Sequence, residues 1–434
     1  MINQNSQSVL LFFLGIITLV SCNQKFAPTV STPIPQQITT LNSKEAQTKL
    51  YLILISLDGF RWDYVEKYHP PNLSAFVNGG VKAKSLIPSY PSKTFPNHYT
   101  IATGLYPDHH GILGNVFYSY KNQKDYNIRD RETAEDGSFY GGSPIWLEAN
   151  KANMVTASFF FAGTEADIQG ITPTYYYKYD GKVKNETRVA QAVDWLELPA
   201  EKRPHLITMY FSDMDDTGHR YGPSNEAEIK KGLFELDKSL GKLFKEVAAT
   251  GLPVNIIIVS DHGMADQTTD TLIPMDDIEN NSLFTYINHG SLVNIHPKEN
   301  VDMDALLAYL KQKETHFKVY ATADTPGFEQ IPISKDWGVL QLVPEKGYYF
   351  STEKGIATRN EKNITTTGVH GFETDFTDMH GIFYAKGPAF KTDLEVPSVK
   401  NIHIYPLMCK VLELEIPTAI DGNIEALQSV LRSN

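Results

Sequence analysis

Residues 50–59 read LYLILISLDG, a nearly continuous apolar run that ends at an aspartate, Asp58. Two later segments repeat this pattern: HLITMYF before SDMD at 205–215, and VNIIIV before SDHG at 254–263. Apolar runs without alternation are typical of strands buried on both faces, as in a parallel sheet covered by helices. Apolar residues at helical spacing over 225–249 predict one such helix. The chain is therefore predicted to be α/β, with a central, mostly parallel sheet and helices on both faces.

An aspartate follows each of these runs, at the edge where open α/β sheets bind their ligands. Any one of them alone is typical of a turn or a helix cap. Together they bring like charges close, which is costly unless a cation lies among them. Carboxylate oxygen with imidazole nitrogen is a ligand set of Zn²⁺. The candidate ligands are Asp58, Asp215 with His219, Asp261 with His262, and His370 within GVHG at 368–371. The other histidines, His98 among them, have no such neighbours and are interpreted as structural or exposed.

Thr94 precedes Phe95 and Pro96, so it suits the N-cap of a helix with proline in its first turn. A helix N-terminus also presents N–H groups to an anion such as phosphate. An unassisted threonine hydroxyl is a weak nucleophile, and metal coordination is one way to activate it. Two interpretations follow: Thr94 is a helix cap, or it is a nucleophile beside a metal ion.

The composition is that of a globular protein, with 434 residues of which 41% are hydrophobic and 21% charged. A formal net charge of −12 gives no attraction to a nucleic-acid backbone or to an anionic lipid surface. A nucleic-acid duplex is therefore not an expected partner. The only cysteines are Cys22 and Cys409, so a Cys-x-x-Cys site is excluded.

Residues 9–20 read VLLFFLGIITLV, an apolar run too short for a comfortable membrane span and typical of a signal-peptide core. It leads into LVSC at 19–22, which resembles a bacterial lipobox, although residues 1–8 contain no Lys or Arg. The alternative is an ordinary signal peptide or a membrane anchor. The predicted organisation is a lipoprotein-type signal peptide over 1–22 with the lipid on Cys22, a flexible tether over 23–48 and one catalytic domain over 49–434. The chain is then exported and lipid-anchored in a bacterial cell envelope, at the periplasm or cell surface.

Several segments resemble the nucleotide pyrophosphatase/phosphodiesterase family of the alkaline phosphatase superfamily. They are SLDGFR (56–61), PSKTFPNHYTIATGLYPDHHGI (91–112), DMDDTGHRYGP (213–223), SDHGM (260–264) and GVHGFETDFTDMHGIFYAKGPAF (368–390). The resemblance implies an alkaline-phosphatase-like fold and two zinc ions per chain. One zinc would be held by Asp215, His219 and His370, and the other by Asp58, Asp261 and His262 with Thr94 as coordinated nucleophile. It also implies that Asn115 helps to hold a phosphoryl oxygen.

The family clamps a nucleotide base between aromatic residues, which align here with Phe95 and Tyr179. Phe161, a further candidate for substrate binding, stands where a tryptophan is common in the family, and this departure bears on substrate preference. The implied function is a two-zinc hydrolase that cleaves phosphodiester or pyrophosphate bonds of nucleotides through a covalent Thr94 intermediate and releases a nucleoside 5′-monophosphate. The alternatives are a lipid-head-group phosphodiesterase of the choline-phosphate type, a phosphomonoesterase that uses Lys93 or Arg61, and a zinc-binding surface lipoprotein without activity.

Overall fold

The structure, a computed structural model, describes residues 39–433. Its strands, in chain order, are β1 (Tyr51–Leu57), β2 (Val81–Ala83), β3 (Leu86–Ile87), β4 (Val116–Ser119), β5 (Lys124–Asn127), β6 (Thr156–Phe159), β7 (Tyr175–Tyr177), β8 (Leu206–Phe211), β9 (Val254–Val259), β10 (Ala265–Thr268), β11 (Leu272–Pro274), β12 (Phe284–Asn288), β13 (Val293–Pro297), β14 (Phe317–Ala321), β15 (Leu340–Pro344), β16 (Tyr349–Ser351), β17 (Thr366–Val369), β18 (Phe383–Lys386), β19 (Leu394–Val396) and β20 (Val399–Lys400). Its helices are α1 (Tyr64–Tyr68), α2 (Pro71–Asn78), α3 (Thr94–Thr103), α4 (Pro107–His110), α5 (Arg131–Ala134), α6 (Ile145–Lys151), α7 (Asn185–Leu196), α8 (Asp213–Tyr221), α9 (Glu226–Ala249), α10 (Met303–Gln312), α11 (Glu353–Glu361) and α12 (Ile404–Val411). The three predicted strands are β1, β8 and β9, and the helix predicted over 225–249 is α9.

The central sheet has eight strands in the order β19-β2-β18-β9-β1-β8-β6-β7. From β9 to β7 every neighbouring pair is parallel, and so is the pair β19 and β2. Only β18 runs antiparallel to its two neighbours. The prediction of a mostly parallel sheet is confirmed. Because β9, β1 and β8 lie side by side, their carboxyl ends open at one edge.

Helices cover both faces of this sheet, as predicted. All seven residues of β1 are buried, and successive side chains point to opposite faces. Leu52 and Leu54 pack with side chains from α3, α6 and α12. Ile53 and Ile55 pack with side chains from α1, α2, α7 and α9. Burial on both faces is the physical reason that the apolar run shows no alternation.

A smaller antiparallel sheet, in the order β12-β13-β15-β14, forms a separate core with α10. Strands β10 and β17 flank the smaller sheet in sequence and pair with each other as an antiparallel two-stranded ladder. In this ladder Ala265 pairs with Val369. The ladder matters for function because β10 follows His262 closely and β17 ends one residue before His370. It therefore brings two distant candidate ligands together.

The domain begins earlier than the sequence suggests. Residues 39–48, which were assigned to the tether, lie against the folded chain. The Thr39 hydroxyl donates to a backbone carbonyl at 2.8 Å, and the Asn42 amide donates to two others at 2.8 and 2.7 Å. The polar composition that predicted a tether here serves side-chain hydrogen bonds instead. The signal peptide, Cys22 and residues 23–38 of the tether lie outside the described residues. Within residues 39–433, no helix is both long and apolar enough to cross a membrane.

Candidate active site at the carboxyl edge of the sheet

The three aspartates predicted to converge do so at one edge of the central sheet. Asp58 follows β1 directly, and Asp261 lies two residues beyond β9. Asp215 lies in the first turn of α8, which begins two residues after β8. Asp58 and Asp261 are each 1% exposed. Gly59 has a φ of +64°, and a Cβ there would stand 2.8 Å from the Cα atom of Asp215, so the turn requires glycine.

The first ligand group consists of Asp58, Asp261 and His262, whose ligand atoms all lie within 4.8 Å of one another. His262 Nε2 lies 3.0 Å from Asp261 Oδ2 and 3.5 Å from Asp58 Oδ1. Thr94 Oγ1 lies 3.3 Å from the same Nε2 atom. The predicted nucleophile and the predicted ligands of one ion are therefore brought together.

The second group consists of Asp215, His219 and His370, again within 4.8 Å. His219 lies one helical turn after Asp215 in α8, with Nε2 at 3.3 Å from Asp215 Oδ1. His370 Nε2 lies 3.9 Å from the same oxygen. The rings of His370 and His262 stack with their centroids 3.6 Å apart, so the two groups are adjacent.

The orientation of the histidines fits a metal ion. Each Nδ1 atom lies 2.8 Å from a backbone carbonyl: His219 from Gly368, His262 from Gly263 and His370 from Ser92. A carbonyl only accepts, so Nδ1 carries the proton and Nε2 is the nitrogen left for a metal. Tetrahedral bonds of about 2.0–2.1 Å place ligand atoms about 3.3–3.4 Å apart. The separations of 3.0 to 3.9 Å from Nε2 to carboxylate oxygen bracket this value.

The electrostatics of the two groups also favour a bound cation. Burial raises the pKa of Asp58 well above its usual value, and the charges of Asp261 and Asp215 raise it further. Burial likewise raises the pKa of Asp215. Among the described residues, one buried oxygen of each of these three aspartates has no hydrogen-bond partner. Buried, crowded and unpaired carboxylates are costly, and a bound divalent cation removes that cost.

Thr94 opens helix α3 but does not cap it. The N-cap position is Lys93, and no side chain there makes a capping hydrogen bond. Asn115 takes that role, because its Oδ1 atom accepts from the Phe95 N–H at 3.0 Å. The interpretation of Thr94 as a helix cap is therefore wrong. Its hydroxyl is left facing His262, and the amide nitrogen of Asn115 is left for another acceptor.

The aromatic candidates occupy different environments. Tyr179 is 41% exposed, and its ring lies edge-on to that of Tyr210, whose hydroxyl donates to Asp58 Oδ2 at 2.5 Å. Tyr179 therefore lies at the rim of the site. Phe95 is partly buried at the start of α3. Phe161 is only 1% exposed and packs inside the core, so its predicted contact with substrate is wrong.

The two cations considered for a monoester phosphate are engaged elsewhere. Lys93 Nζ donates to the His370 carbonyl at 2.8 Å and to the Tyr349 hydroxyl at 3.0 Å. Arg61 forms ion pairs with Asp63 at 3.0 Å and Asp378 at 2.9 Å. Arg61 is therefore neutralised by two carboxylates, whereas the Lys93 ammonium is held in place by two neutral acceptors.

Two residues of the site escaped the sequence analysis. His98 is buried, which agrees with the interpretation of it as structural, but it also lies 3.3 Å from Asp261 Oδ2, a contact that its sequence neighbours do not indicate. Its position one helical turn after Thr94 was the signal that could have found it. Tyr210 lies in the apolar run of β8, and nothing in that run distinguishes its hydroxyl from a core tyrosine's.

Comparisons with known proteins agree with this geometry. Residues 52–373 match a family model described as type I phosphodiesterase / nucleotide pyrophosphatase. A venom phosphodiesterase of Crotalus durissus collilineatus is 34% identical over 395 residues, which cover 88% of this chain and 46% of the relative. The mouse ectonucleotide pyrophosphatase/phosphodiesterase family member 1 is 32% identical over 393 residues, covering 88% of this chain and 42% of the relative. The chain thus spans about half the length of these curated relatives.

Solved structures extend the likeness to the fold. Murine ectonucleotide pyrophosphatase/phosphodiesterase 5 superposes with a TM-score of 0.80 and 28% identity, covering 88% of this chain and 100% of that chain. An inactive threonine-to-alanine form of the same murine protein, in complex with AMP, gives a TM-score of 0.81, with 28% identity and the same coverage. The alkaline-phosphatase-like arrangement implied by the sequence is therefore confirmed.

Proposed function

Because this chain belongs to the type I phosphodiesterase / nucleotide pyrophosphatase family, we propose that it is a two-zinc hydrolase of nucleotide phosphodiester or pyrophosphate bonds. It would act through a covalent Thr94 intermediate and release a nucleoside 5′-monophosphate. The observation that most directly supports this proposal is the position of the Thr94 hydroxyl at the start of a helix, 3.3 Å from His262 Nε2. A zinc-binding lipoprotein without activity would have no use for a nucleophile placed there.

The bound metal ions would activate the threonine hydroxyl and neutralise charge on the entering, leaving and non-bridging oxygens. Asp58, Asp261 and His262 would hold one ion, and Asp215, His219 and His370 the other. Thr94 Oγ1 would attack phosphorus and release its proton to solvent, which transfers the nucleotidyl group to Thr94. The P–O bond to the first leaving group breaks, and its oxygen departs with the bonding electrons and takes up a proton from solvent. Water then displaces Thr94 from phosphorus. Two inversions give net retention at phosphorus.

Asn115 and the start of α3 would stabilise the phosphoryl oxygen during both displacements. Asn115 is fixed by the bond that its Oδ1 atom accepts from the Phe95 N–H. Because the side-chain amide is planar, this bond also sets the direction of Nδ2, whose N–H would donate to the phosphoryl oxygen. The N-terminal turn of α3 adds its N–H dipoles.

A nucleotide diester is favoured over a monoester by the cations of the site. A monoester carries one more negative charge, and Lys93 and Arg61 already serve other partners. The AMP complex of the murine neighbour supports a nucleotide as the bound group. Tyr179, exposed at the rim, and Phe95 would stack on the base, a contact worth about 1–3 kcal/mol per base.

We also propose that the protein is exported and attached to a bacterial envelope membrane through a lipid on Cys22. The apolar run at 9–20 and the LVSC sequence at 19–22 support this. Replacing Cys22 by Ala is expected to release the protein from the membrane fraction without changing the rate of the isolated domain. Wild-type protein that carries no lipid and stays in the cytoplasm would contradict this part of the proposal.

A substrate panel on the zinc-loaded protein lacking residues 1–22 tests the proposed activity. The panel compares three substrates. They are a nucleotide diester (a dinucleotide or an aryl ester), the corresponding nucleoside monophosphate as the monoester, and a choline-phosphate ester. The nucleotide diester is expected to have the highest kcat/KM. A preference for the choline-phosphate ester would make the protein a lipid-head-group phosphodiesterase, and a preference for the monoester would make it a phosphatase.

A further inference from the structure

His98 lies at the centre of a set of contacts that no ligand assignment includes. It is fully buried. Its Nδ1 atom lies 2.8 Å from the backbone carbonyl of Thr94, and its Nε2 atom lies 2.7 Å from Ser56 Oγ. Because a carbonyl only accepts, Nδ1–H donates to Thr94, and Nε2 accepts from the Ser56 hydroxyl.

Through these contacts His98 touches each element that holds the first ligand group (Asp58, Asp261 and His262) or the nucleophile Thr94. Thr94 opens α3, and Ser56 lies in β1 two residues before Asp58. The same Nδ1–H edge lies 3.3 Å from Asp261 Oδ2, beyond the end of β9. The imidazole is held edge-on between the rings of Phe161 and Tyr210, with centroids 5.3 and 5.4 Å away. This packing leaves the ring no freedom to turn away from the aspartate.

We propose that His98 is a positioning residue: it fixes the Asp261 carboxylate relative to Thr94, so that the metal ion held by Asp58, Asp261 and His262 lies within reach of the threonine oxygen. This inference rests on the proposed two-metal function. The Nδ1–H edge of the imidazole lies 3.3 Å from Asp261 Oδ2, so it presents its positive side to the carboxylate and limits its rotation. Loss of a group that orients a metal ligand costs about 10- to 100-fold in metal affinity or activity.

The chain offers a second buried histidine, outside both ligand groups, as a matched control. His110 is also fully buried. It contacts Thr100 Oγ1 through Nε2 at 3.0 Å, and its Nδ1 atom accepts from the Ile112 N–H at 3.2 Å. Its ring packs edge-on against Tyr99. None of these partners belongs to either ligand group, so His110 measures the cost of losing a buried imidazole alone.

The experiment measures zinc affinity directly, by competition with a chromophoric chelator, and the visible spectrum of the Co²⁺-substituted protein. Activity is not the readout. The variants are His98→Leu, His98→Asn, His98→Gln and His110→Leu. His98→Leu is expected to weaken one of the two zinc sites by about 10- to 100-fold and to alter the Co²⁺ bands. His98→Asn, whose amide N–H replaces the Nδ1–H donor, should retain most of the affinity, whereas His98→Gln should not.

His110→Leu should lower thermal stability and leave both zinc affinities at the wild-type value. Equal zinc affinity in wild type and His98→Leu would overturn the proposal, and so would the same loss in His110→Leu. If His98→Leu does not fold, the comparison of His98→Asn with His98→Gln decides, and equal affinities in the two count against the proposal. Wild-type protein that binds no zinc would instead refute the two-metal function on which the inference rests.

Discussion

Replacing Thr94 by Ala separates chemistry from structure, because the hydroxyl makes no capping bond in the folded protein. The start of α3 is held by the Asn115 side chain, and no side chain caps the helix from its N-cap position. Replacing a threonine that does cap a helix by alanine lowers the free energy of unfolding by about 1 kcal/mol. Alanine also has the higher helix propensity. The free energy of unfolding of Thr94→Ala should therefore change by no more than about 0.5 kcal/mol.

The rate should respond very differently. Loss of the nucleophile from a covalent mechanism lowers kcat by about 10³- to 10⁶-fold. The activity that remains comes from substrate binding and charge stabilisation. Asp58, Asp261 and His262 remain, so zinc content should stay near two per chain. Thr94→Ser keeps the hydroxyl and should retain substantial activity. Thr352 is a matched control, because its hydroxyl does cap α11 by accepting from the Gly355 N–H at 3.0 Å.

The assays are hydrolysis of a chromogenic nucleotide diester, denaturant unfolding and elemental analysis of the purified variants. Thr352→Ala should lose about 1 kcal/mol of stability with unchanged kcat, which is the opposite pattern to that of Thr94→Ala. Hydrolysis of a chiral phosphorothioate diester in labelled water should proceed with retention at phosphorus. Inversion, or near-normal turnover by Thr94→Ala, would refute the covalent mechanism. Loss of zinc from Thr94→Ala would show that the threonine acts mainly as a ligand.

Three further outcomes follow from the site. Chelation should abolish activity and lower the melting temperature, with zinc restoring both, since ligand binding to the native state stabilises it; full activity in metal-free protein would contradict the metal site. Tyr210→Phe should lower the free energy of unfolding of the metal-free protein by about 1–3 kcal/mol, because it leaves Asp58 Oδ2 buried without its donor. An unchanged free energy of unfolding would show that water replaces the hydroxyl. Tyr179→Ala should reduce kcat/KM for a nucleotide diester by about 1–3 kcal/mol but spare a small chromogenic diester; equal losses on both would argue against base stacking.

The central sheet and most of the candidate ligands were predictable from local signals in the sequence, whereas the division of the ligands between two ions came from the family resemblance. Buried parallel strands appear as apolar runs, and an aspartate follows β1 directly and β9 at a distance of two residues. His262 follows Asp261 directly, and His219 lies one helical turn after Asp215. Their convergence follows from strand order, since parallel neighbours end at the same edge.

The supporting contacts were not predictable because they join residues that are distant in sequence. His98 meets Asp261, and Tyr210 meets Asp58, only after β1, β8 and β9 lie side by side. Phe161 was misassigned for a related reason. Phe160 before it has a φ of +72°, and Phe161 lies in the core. A left-handed phenylalanine leaves no mark in composition or periodicity.

The candidate metal ligands come from separate elements of the fold, which predicts that metal binding stabilises the folded chain. The ligands come from the edge of the central sheet, from α8 and from the β10–β17 ladder, which holds His370 outside that sheet. A Cβ at Gly368 would stand 2.3 Å from the Gly218 carbonyl, so this ladder packs directly on the backbone of α8. Without a cation, the crowded carboxylates oppose the approach of these elements. A cation bound between the two ligand groups would neutralise this negative charge and would therefore stabilise the packing of the three elements.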